Sequence, residues 1–334
     1  MYHLLGACLA LAALLVINAL ASLLAAGLWR CLLARQARQW SAVTRARLTF
    51  ALRAFPLAGA LACVTLLLIP SYIVHEARQT TEVVSVKLAA LALLSIIGIA
   101  LALWRGLVAW RATRRLAADW MRHGEPVHLE GISIPAYRIQ HAFPVVAVVG
   151  SIRPRLFVAS QVFDSLTAEE LSAALAHESA HLALRDNLKR GLLRACRDAL
   201  TIIPCGRSLD RAWSEASEAA ADERAARAGA SNAVNLASTL VKIARMAPSG
   251  ASAIMPAGAF LIDETVGGVA CRVRQLTQLA GIGGAHQRRK AAALNLGMWV
   301  CPGAFLVALA VAAADPRVLA QMHAMIEHIV RALS

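Results

Sequence analysis

The stretch LTAEELSAALAHESAHLALRDNLKR, from Leu166 to Arg190, contains two histidines four residues apart around a glutamate. On a helix, residues i and i+4 lie on one face, so His177 and His181 can bind the same metal ion. Glu178 lies beside them, where a carboxylate can take a proton from an attacking water. The stretch therefore predicts a helix that carries two zinc ligands and a general base.

A third ligand is expected elsewhere, because catalytic zinc takes three protein ligands and keeps a fourth position open. The stretch SEASEAAADERAA, residues 214–226, places Glu218 and Asp222 four residues apart on a second predicted helix, about residues 209–228. Glu218 is the predicted third ligand, with Glu215 as its competitor. Asp222 is predicted to hold the other nitrogen of a ligand histidine. The expected site contains one Zn²⁺ per chain, although such a ligand set also binds other divalent metals.

The composition indicates a membrane protein. Of 334 residues, 58% are hydrophobic and 16% are charged, whereas soluble domains have roughly 25% charged residues. A helix needs about 20 apolar residues to cross a bilayer. Four runs meet this need, at about residues 4–28, 54–74, 86–104 and 293–314. We therefore expect a polytopic α-helical membrane protein with about four transmembrane helices, an insert at 105–292 and a short tail at 315–334.

The net charge of +14 is concentrated near the ends of these runs. Arginines crowd the loop between the first two runs and the segment after the third. Because positive loops stay in the cytoplasm, we expect a cytoplasmic insert and both termini outside, in a bacterial-type inner membrane. Direct nucleic-acid binding is not expected, because residues 164–186 carry five acidic residues against Arg185. The seven cysteines form no C-x-x-C pair, so neither disulfides nor a cysteine zinc site are expected.

The insert has the pattern of a mixed α+β domain. Val145–Val149 and Leu156–Ala159 are short β-prone runs that predict a hairpin or paired strands. Thr167–Glu170 has the spacing of a capping box, which predicts the start of the histidine-bearing helix. Gly229 is expected to end the second helix. Residues 248–258 are predicted to form a loop.

Three stretches in this order, RPRLFVAS, LTAEELSAALAHESAHLALRDNLKR and EAAAD, resemble the BlaR/MecR-type membrane zinc metallopeptidases, the antirepressor proteases of β-lactam sensing. HtpX and the CAAX-prenyl membrane proteases are related. The resemblance implies a cytoplasmic zincin-like α+β metallopeptidase domain. It implies that His177, His181 and Glu218 bind zinc, that Glu178 is the general base, and that Asp222 supports a ligand.

The same resemblance implies that an extended substrate pairs with one strand of the insert. The residues of this strand are Val145, Val146, Ala147, Val148 and Val149. The antibiotic sensors carry a large extracellular penicillin-binding domain after the fourth span, whereas about twenty residues, 315–334, follow here. Direct β-lactam sensing by this chain is therefore not expected.

The expected function is a membrane zinc metalloendopeptidase that cleaves a protein substrate on the cytoplasmic side, in signalling through a transcriptional repressor. One alternative is an HtpX-like protease that removes damaged membrane proteins. Another is a non-proteolytic transmembrane signalling scaffold, which the presence of Glu178 disfavours. Candidates for a second oxyanion stabiliser are Arg153, Tyr137 and Arg272. The sequence leaves the oligomeric state open.

Overall fold

The computed structural model describes residues 2–76, 84–200, 206–229, 231–246, 266–281 and 288–333. The loop predicted at residues 248–258 lies outside these ranges. Three long apolar helical stretches dominate the structure, and each is long and apolar enough to cross a membrane. In the first stretch, α1 (Tyr2–Leu28) continues through a π-helical turn into α2 (Ala34–Gln36). In the second, α3 (Ala42–Cys63) continues through another π-helical turn into α4 (Ile69–His75). The third is the single helix α5 (Val86–His123).

The three predicted spans before the insert fall within these helices. The fourth is less regular, because α12 (Arg288–Ala314) is followed at once by α13 (Pro316–Leu333). The segments Pro302–Ala314 and Pro316–Arg331 meet at an angle of 90°. Together, but not separately, they are long and apolar enough to be a fourth candidate span. The described residues therefore contain three, or up to four, candidate spans.

The predicted tail forms α13, which lies at the same end of the helices as the N-terminus. Ser71, in α4, donates a hydrogen bond from its hydroxyl to the carbonyl of Leu319 at 2.7 Å. The hydroxyl of Tyr72 donates to the carbonyl of Tyr2 at 2.8 Å. Leu5 and Ile326 are buried in one apolar cluster at this end. The two chain termini therefore share one end of the apolar helices.

A four-stranded sheet follows α5 in the chain. Its strands are β1 (Glu125–Val127), β2 (Ala136–Ile139), β3 (Val146–Val149) and β4 (Arg155–Ala159), in the order β1-β2-β4-β3. β2 and β4 are parallel, and the other two pairs are antiparallel. The predicted β3–β4 hairpin is confirmed, whereas β1 and β2 were not predicted. Trp120 of α5 packs edge-on against Phe157 of β4, with ring centroids 5.1 Å apart.

The remaining helices confirm that the insert is a mixed α+β structure, and its zincin-like fold stays a prediction. The histidine-bearing helix begins with the predicted capping box, in which Thr167 and Glu170 each accept a hydrogen bond from the other's backbone N–H, at 3.3 and 2.9 Å. The described helices of the insert are α6 (Ser160–Ser165), α7 (Ala168–Leu184), α8 (Asp186–Asp198), α9 (Arg207–Ala226), α10 (Asn232–Met246) and α11 (Val266–Gly281).

The insert packs directly alongside the apolar helices. Arg53 of α3 is 4% exposed and pairs with Asp210 of α9 through Nε and Oδ1 at 3.0 Å. A Cβ at Gly206 would meet Nε of Arg53, and a Cβ at Gly98 of α5 would lie 2.5 Å from the carbonyl oxygen of Ala199. Any side chain at either glycine would therefore collide. Because Gly98 lies within the third predicted span, the end of α8 extends beside that span.

Candidate metal centre

Two helices bring the three predicted ligands together. His177 and His181 lie on one face of α7, and Glu218 faces them from α9. The Nε2 atoms of the two histidines are 3.1 Å apart. Nε2 of His177 lies 3.6 Å from Oε2 of Glu218, and Nε2 of His181 lies 3.5 Å from Oε1. All three side chains are buried, and the group could hold a metal ion.

The donor set fits a small divalent cation. Tetrahedral zinc binds such atoms at about 2.0–2.1 Å, so its ligand atoms lie roughly 3.3 Å from one another. The two Nε2 atoms are 3.1 Å apart, close to this value, and each oxygen of Glu218 lies about as far from one of the histidines, at 3.6 Å for Oε2 and His177 and 3.5 Å for Oε1 and His181. Oε2 of Glu218 is buried and has no hydrogen-bond partner in the described part of the chain. Its charged neighbours lie at 3.4 Å or more, so a bound cation would give this buried oxygen the direct partner that it lacks.

A carboxylate next to the helix supports His181. Oδ2 of Asp186 lies 2.8 Å from Nδ1 of His181, and the hydroxyl of Ser217 donates to the same oxygen at 2.9 Å. Arg185 has a left-handed conformation, with φ of 55° and ψ of 39°, and it joins the end of α7 to the start of α8. This turn brings Asp186 back toward His181. A proton on Nδ1 leaves the lone pair on Nε2 directed toward the cluster.

A longer chain of contacts supports His177. Oδ1 of Asp222, on α9, lies 2.9 Å from Nδ1 of His177, in the place predicted for it. Arg272 of α11 binds this carboxylate through two N–H groups, with Nε 2.9 Å from Oδ2 and Nη2 2.7 Å from Oδ1. Nη1 of the same guanidinium lies 3.4 Å from Oε2 of Glu218. Arg272 therefore places a positive charge beside two carboxylates of the site.

Glu178 is held between the cluster and the sheet. It is 1% exposed, and its Oε2 accepts a hydrogen bond from the backbone N–H of Val148 at 3.2 Å. Its Oε1 is buried without a hydrogen-bond partner among the described residues. Burial raises the pKa of Glu178, which makes this carboxyl group a stronger base than an exposed glutamate.

The charges of the cluster favour an ionised carboxylate facing the histidines. Burial opposes the charged form of Glu218, but His181, His177 and Arg272 hold its pKa well below the usual range. Burial also opposes protonation of His181. The carboxylates of Glu218 and Asp186 outweigh this effect and raise the pKa of His181 to about 10. Without a metal, protons and Arg272 therefore provide the positive charge that a cation would provide when bound.

Three other candidates do not join the cluster. Glu215 is exposed on α9, so Glu218 is the residue that faces the histidines. Tyr137 stacks on Phe157 with ring centroids 5.5 Å apart, and Arg153 is exposed in the turn after β3. Within the described ranges, no hydrogen bond or ion pair links Tyr137 or Arg153 to the metal ligands.

The strand predicted to pair with substrate lies at an edge of the sheet, but its outward groups are partly occupied. Val145 accepts from the N–H of Ala159 at 2.8 Å, so alternate residues from Val146 onward face the open edge. The N–H of Val148 binds Glu178, and its carbonyl accepts from Nδ2 of Asn187 at 2.8 Å. Val146 and Val148 are 1% and 3% exposed, so an extended partner can pair along this edge only after the groups that cover it have moved.

Comparisons with known proteins add no family assignment. No protein-family model matches the chain, and no curated protein sequence is significantly similar to it. The family likeness therefore rests on the sequence motifs quoted above, and the geometry of the buried cluster carries the functional argument.

Proposed function

We propose that the chain is a membrane-embedded zinc metalloendopeptidase that hydrolyses peptide bonds of a protein substrate on the cytoplasmic side of a bacterial-type inner membrane. The observation that carries this proposal is the buried group of His177, His181 and Glu218, with Glu178 next to it. The long apolar helices support the membrane location. The arginine bias of the loops supports a cytoplasmic insert.

The residues divide the chemistry among them. His177, His181 and Glu218 would hold the ion, which when bound would polarise the scissile carbonyl as a Lewis acid and lower the pKa of a water molecule. Glu178 takes the proton of the attacking water and passes it to the leaving amine as the C–N bond breaks. Its unpartnered Oε1 is the oxygen available for this proton transfer. Arg272 is engaged with Asp222, so we assign it to positioning rather than to the oxyanion.

The substrate class follows from the resemblance to antirepressor proteases. We propose that the substrate is a transcriptional repressor, cleaved in an extended conformation beside β3. β3 is an edge strand, and an extended chain adds to a sheet through the outward backbone groups of such a strand once they are uncovered. Glu178 binds the same strand at Val148, so a chain paired along this edge lies next to the general base.

The proposal is tested by the zinc content and proteolytic activity of the detergent-purified chain. Glu178→Gln is compared with Glu215→Gln, which makes the same change at an exposed position of α9. Wild type and both variants are expected to bind about one zinc per chain. Glu178→Gln is expected to lower cleavage of a co-expressed repressor by about 10²–10⁴-fold, whereas Glu215→Gln retains it.

The histidines provide the second arm of this test. The double variant His177→Ala/His181→Ala is expected to lose both zinc and cleavage, while its α-helical circular dichroism is retained. A wild-type chain without zinc, or cleavage that survives Glu178→Gln, would overturn the mechanism. Either result would favour the non-proteolytic scaffold.

A further inference from the structure

A basic groove opens beside the metal cluster, between α5, the β3–β4 turn and α8. Its volume is about 980 Å³, at the upper end of the range for ligand-binding clefts. Among the described residues that line it, seven are arginines and one, Asp198, is acidic. Arg105 and Arg114 come from α5, Arg153 and Arg155 from the turn and β4, and the other three from α8.

Membrane topology alone does not explain this concentration of charge. Arg105 and Arg114 directly follow the third span, where positive residues orient a membrane protein. The arginines of the β3–β4 turn and α8 belong to the insert, and folding brings them to the same groove. Asp198 offsets the charge in part, since Arg105 and Arg197 lie 2.9 and 3.8 Å from its Oδ1. The lining retains a large excess of positive charge.

The groove adjoins both the outer edge of β3 and the metal ligands. Asn187 lines it and donates hydrogen bonds from Nδ2 to the carbonyls of Val148 and Gly150, at 2.8 and 3.3 Å. Arg190 also lines it, and its Nη2 lies 3.9 Å from Oε1 of Glu218. A chain paired along β3 would therefore enter the groove as it leaves the cluster.

We infer that this groove binds an acidic stretch of the substrate polypeptide, to one side of the bond that is cleaved. The inference rests on the proposed function, because it assigns the substrate class of the same site. An anionic lipid headgroup would match the charge equally well. The contacts of the groove with β3 and Glu218 favour a polypeptide, since a polypeptide backbone can pair with the edge of a strand and a lipid headgroup cannot.

The test measures the binding of fluorescein-labelled oligoglutamate to the full-length Glu178→Gln chain in detergent by fluorescence anisotropy. Arg114→Glu/Arg153→Glu reverses two exposed charges of the groove. Arg111→Glu/Arg115→Glu reverses two exposed charges of α5 that do not line it. The groove variant is expected to weaken binding by about tenfold and the control by less than about twofold, if each reversal acts as an exposed charge pair. Oligoglutamine of the same length is expected not to bind.

Zinc content is measured on the same samples, so that failure of the metal site is separated from failure of the groove. Equal losses in the two variants would overturn the inference, because they would indicate unspecific attraction. It would also be overturned if phosphatidylglycerol micelles or oligodeoxythymidylate lost affinity in the groove variant while oligoglutamate did not. In active wild-type protein, oligoglutamate is expected to raise the KM for the cleaved substrate and leave kcat unchanged.

Discussion

The two histidines of the cluster present the same atom to the metal site, yet their supports differ in range. His181 is supported by Asp186, which lies five residues away across a single turn. His177 is supported by Asp222 from a second helix, and Asp222 is in turn held by Arg272 from a third. One ligand is therefore oriented by local backbone geometry, whereas the other depends on the packing of three helices.

This difference predicts that damage to the two supports will have different consequences. A defect at Asp186 should disturb the imidazole of His181 and the hydrogen bond from Ser217, but it leaves the Asp222–Arg272 pair intact. A defect in the Asp222–Arg272 pair should also leave a buried charge without its partner, which is strongly destabilising. Metal affinity should therefore fall after damage to either support, whereas the loss of fold stability should be smaller at His181 than at His177.

The largest effect is expected for Arg272→Met. Asp222 and Glu218 are both buried, and they would lose the guanidinium that faces them. Removing one partner of such a pair costs about 3–5 kcal/mol, so the metal-free variant should unfold at a lower temperature in thermal scans. Arg274→Met, at an exposed position of the same helix, is the matched control and should have no such effect.

Two further measurements sharpen this prediction. Added zinc should recover part of the loss in Arg272→Met, because a dication supplies positive charge beside the same carboxylates. The double variant Arg272→Met/Asp222→Asn should be more stable than Arg272→Met alone, since it no longer contains the unpaired Asp222. If the double variant were the less stable of the two, the pair would not be the source of the effect.

The next largest effect is expected in a comparison of the zinc affinity and thermal stability of Asp222→Asn and Asp186→Asn. Each change weakens the carboxylate that orients a ligand histidine, and such changes lower metal affinity by about 10–100-fold. Zinc affinity, measured by competition with a chelator, should fall in both variants. Thermal stability of the metal-free chain should fall more in Asp222→Asn, because Arg272 then loses its two hydrogen bonds to a carboxylate and keeps the longer contact with Glu218. Equal stability of the two variants would contradict the distinction between a local and a long-range support.

The sequence was sufficient for the features that depend on short-range patterns. The four-residue spacing of His177 and His181 predicted a shared face, and the reciprocal Thr167–Glu170 cap predicted where that helix begins. The four-residue spacing of Glu218 and Asp222 predicted that both lie on one face of their helix, and zinc's need for a third ligand suggested that this face meets the histidines. These predictions hold because helical periodicity fixes which side chains lie together, whatever the rest of the chain does.

Features that depend on tertiary packing could not be predicted in this way. The contact of Asp186 with His181 depends on a left-handed turn at Arg185, a residue type that gives no signal for that conformation. The pairing of Arg272 with Asp222 joins residues fifty positions apart. β1 (EPV) and β2 (AYRI) contain charged residues and a proline, so they lack the continuous apolar run that marked β3 (VAVV). The convergence of arginines in one groove likewise exists only in the folded chain.

The smallest effect concerns the turn that creates the local support. A non-glycine residue in the left-handed region costs roughly 1–2 kcal/mol, and Arg185 is exposed, so its side chain provides little packing in return. Arg185→Gly should therefore raise the free energy of unfolding by up to about 1 kcal/mol. Ala183→Gly, two residues earlier and still helical, should lower it by about 1 kcal/mol.

The zinc affinity of Arg185→Gly decides what the turn contributes. Glycine adopts the same backbone conformation without strain, so Asp186 should stay beside His181 and the affinity should remain within about twofold of the wild type. A gain in stability with unchanged affinity would show that the packing of α7 and α8 holds Asp186 in place. A loss of affinity in spite of higher stability would instead show that the restricted backbone of Arg185 orients Asp186, and the local support would then depend on a single residue.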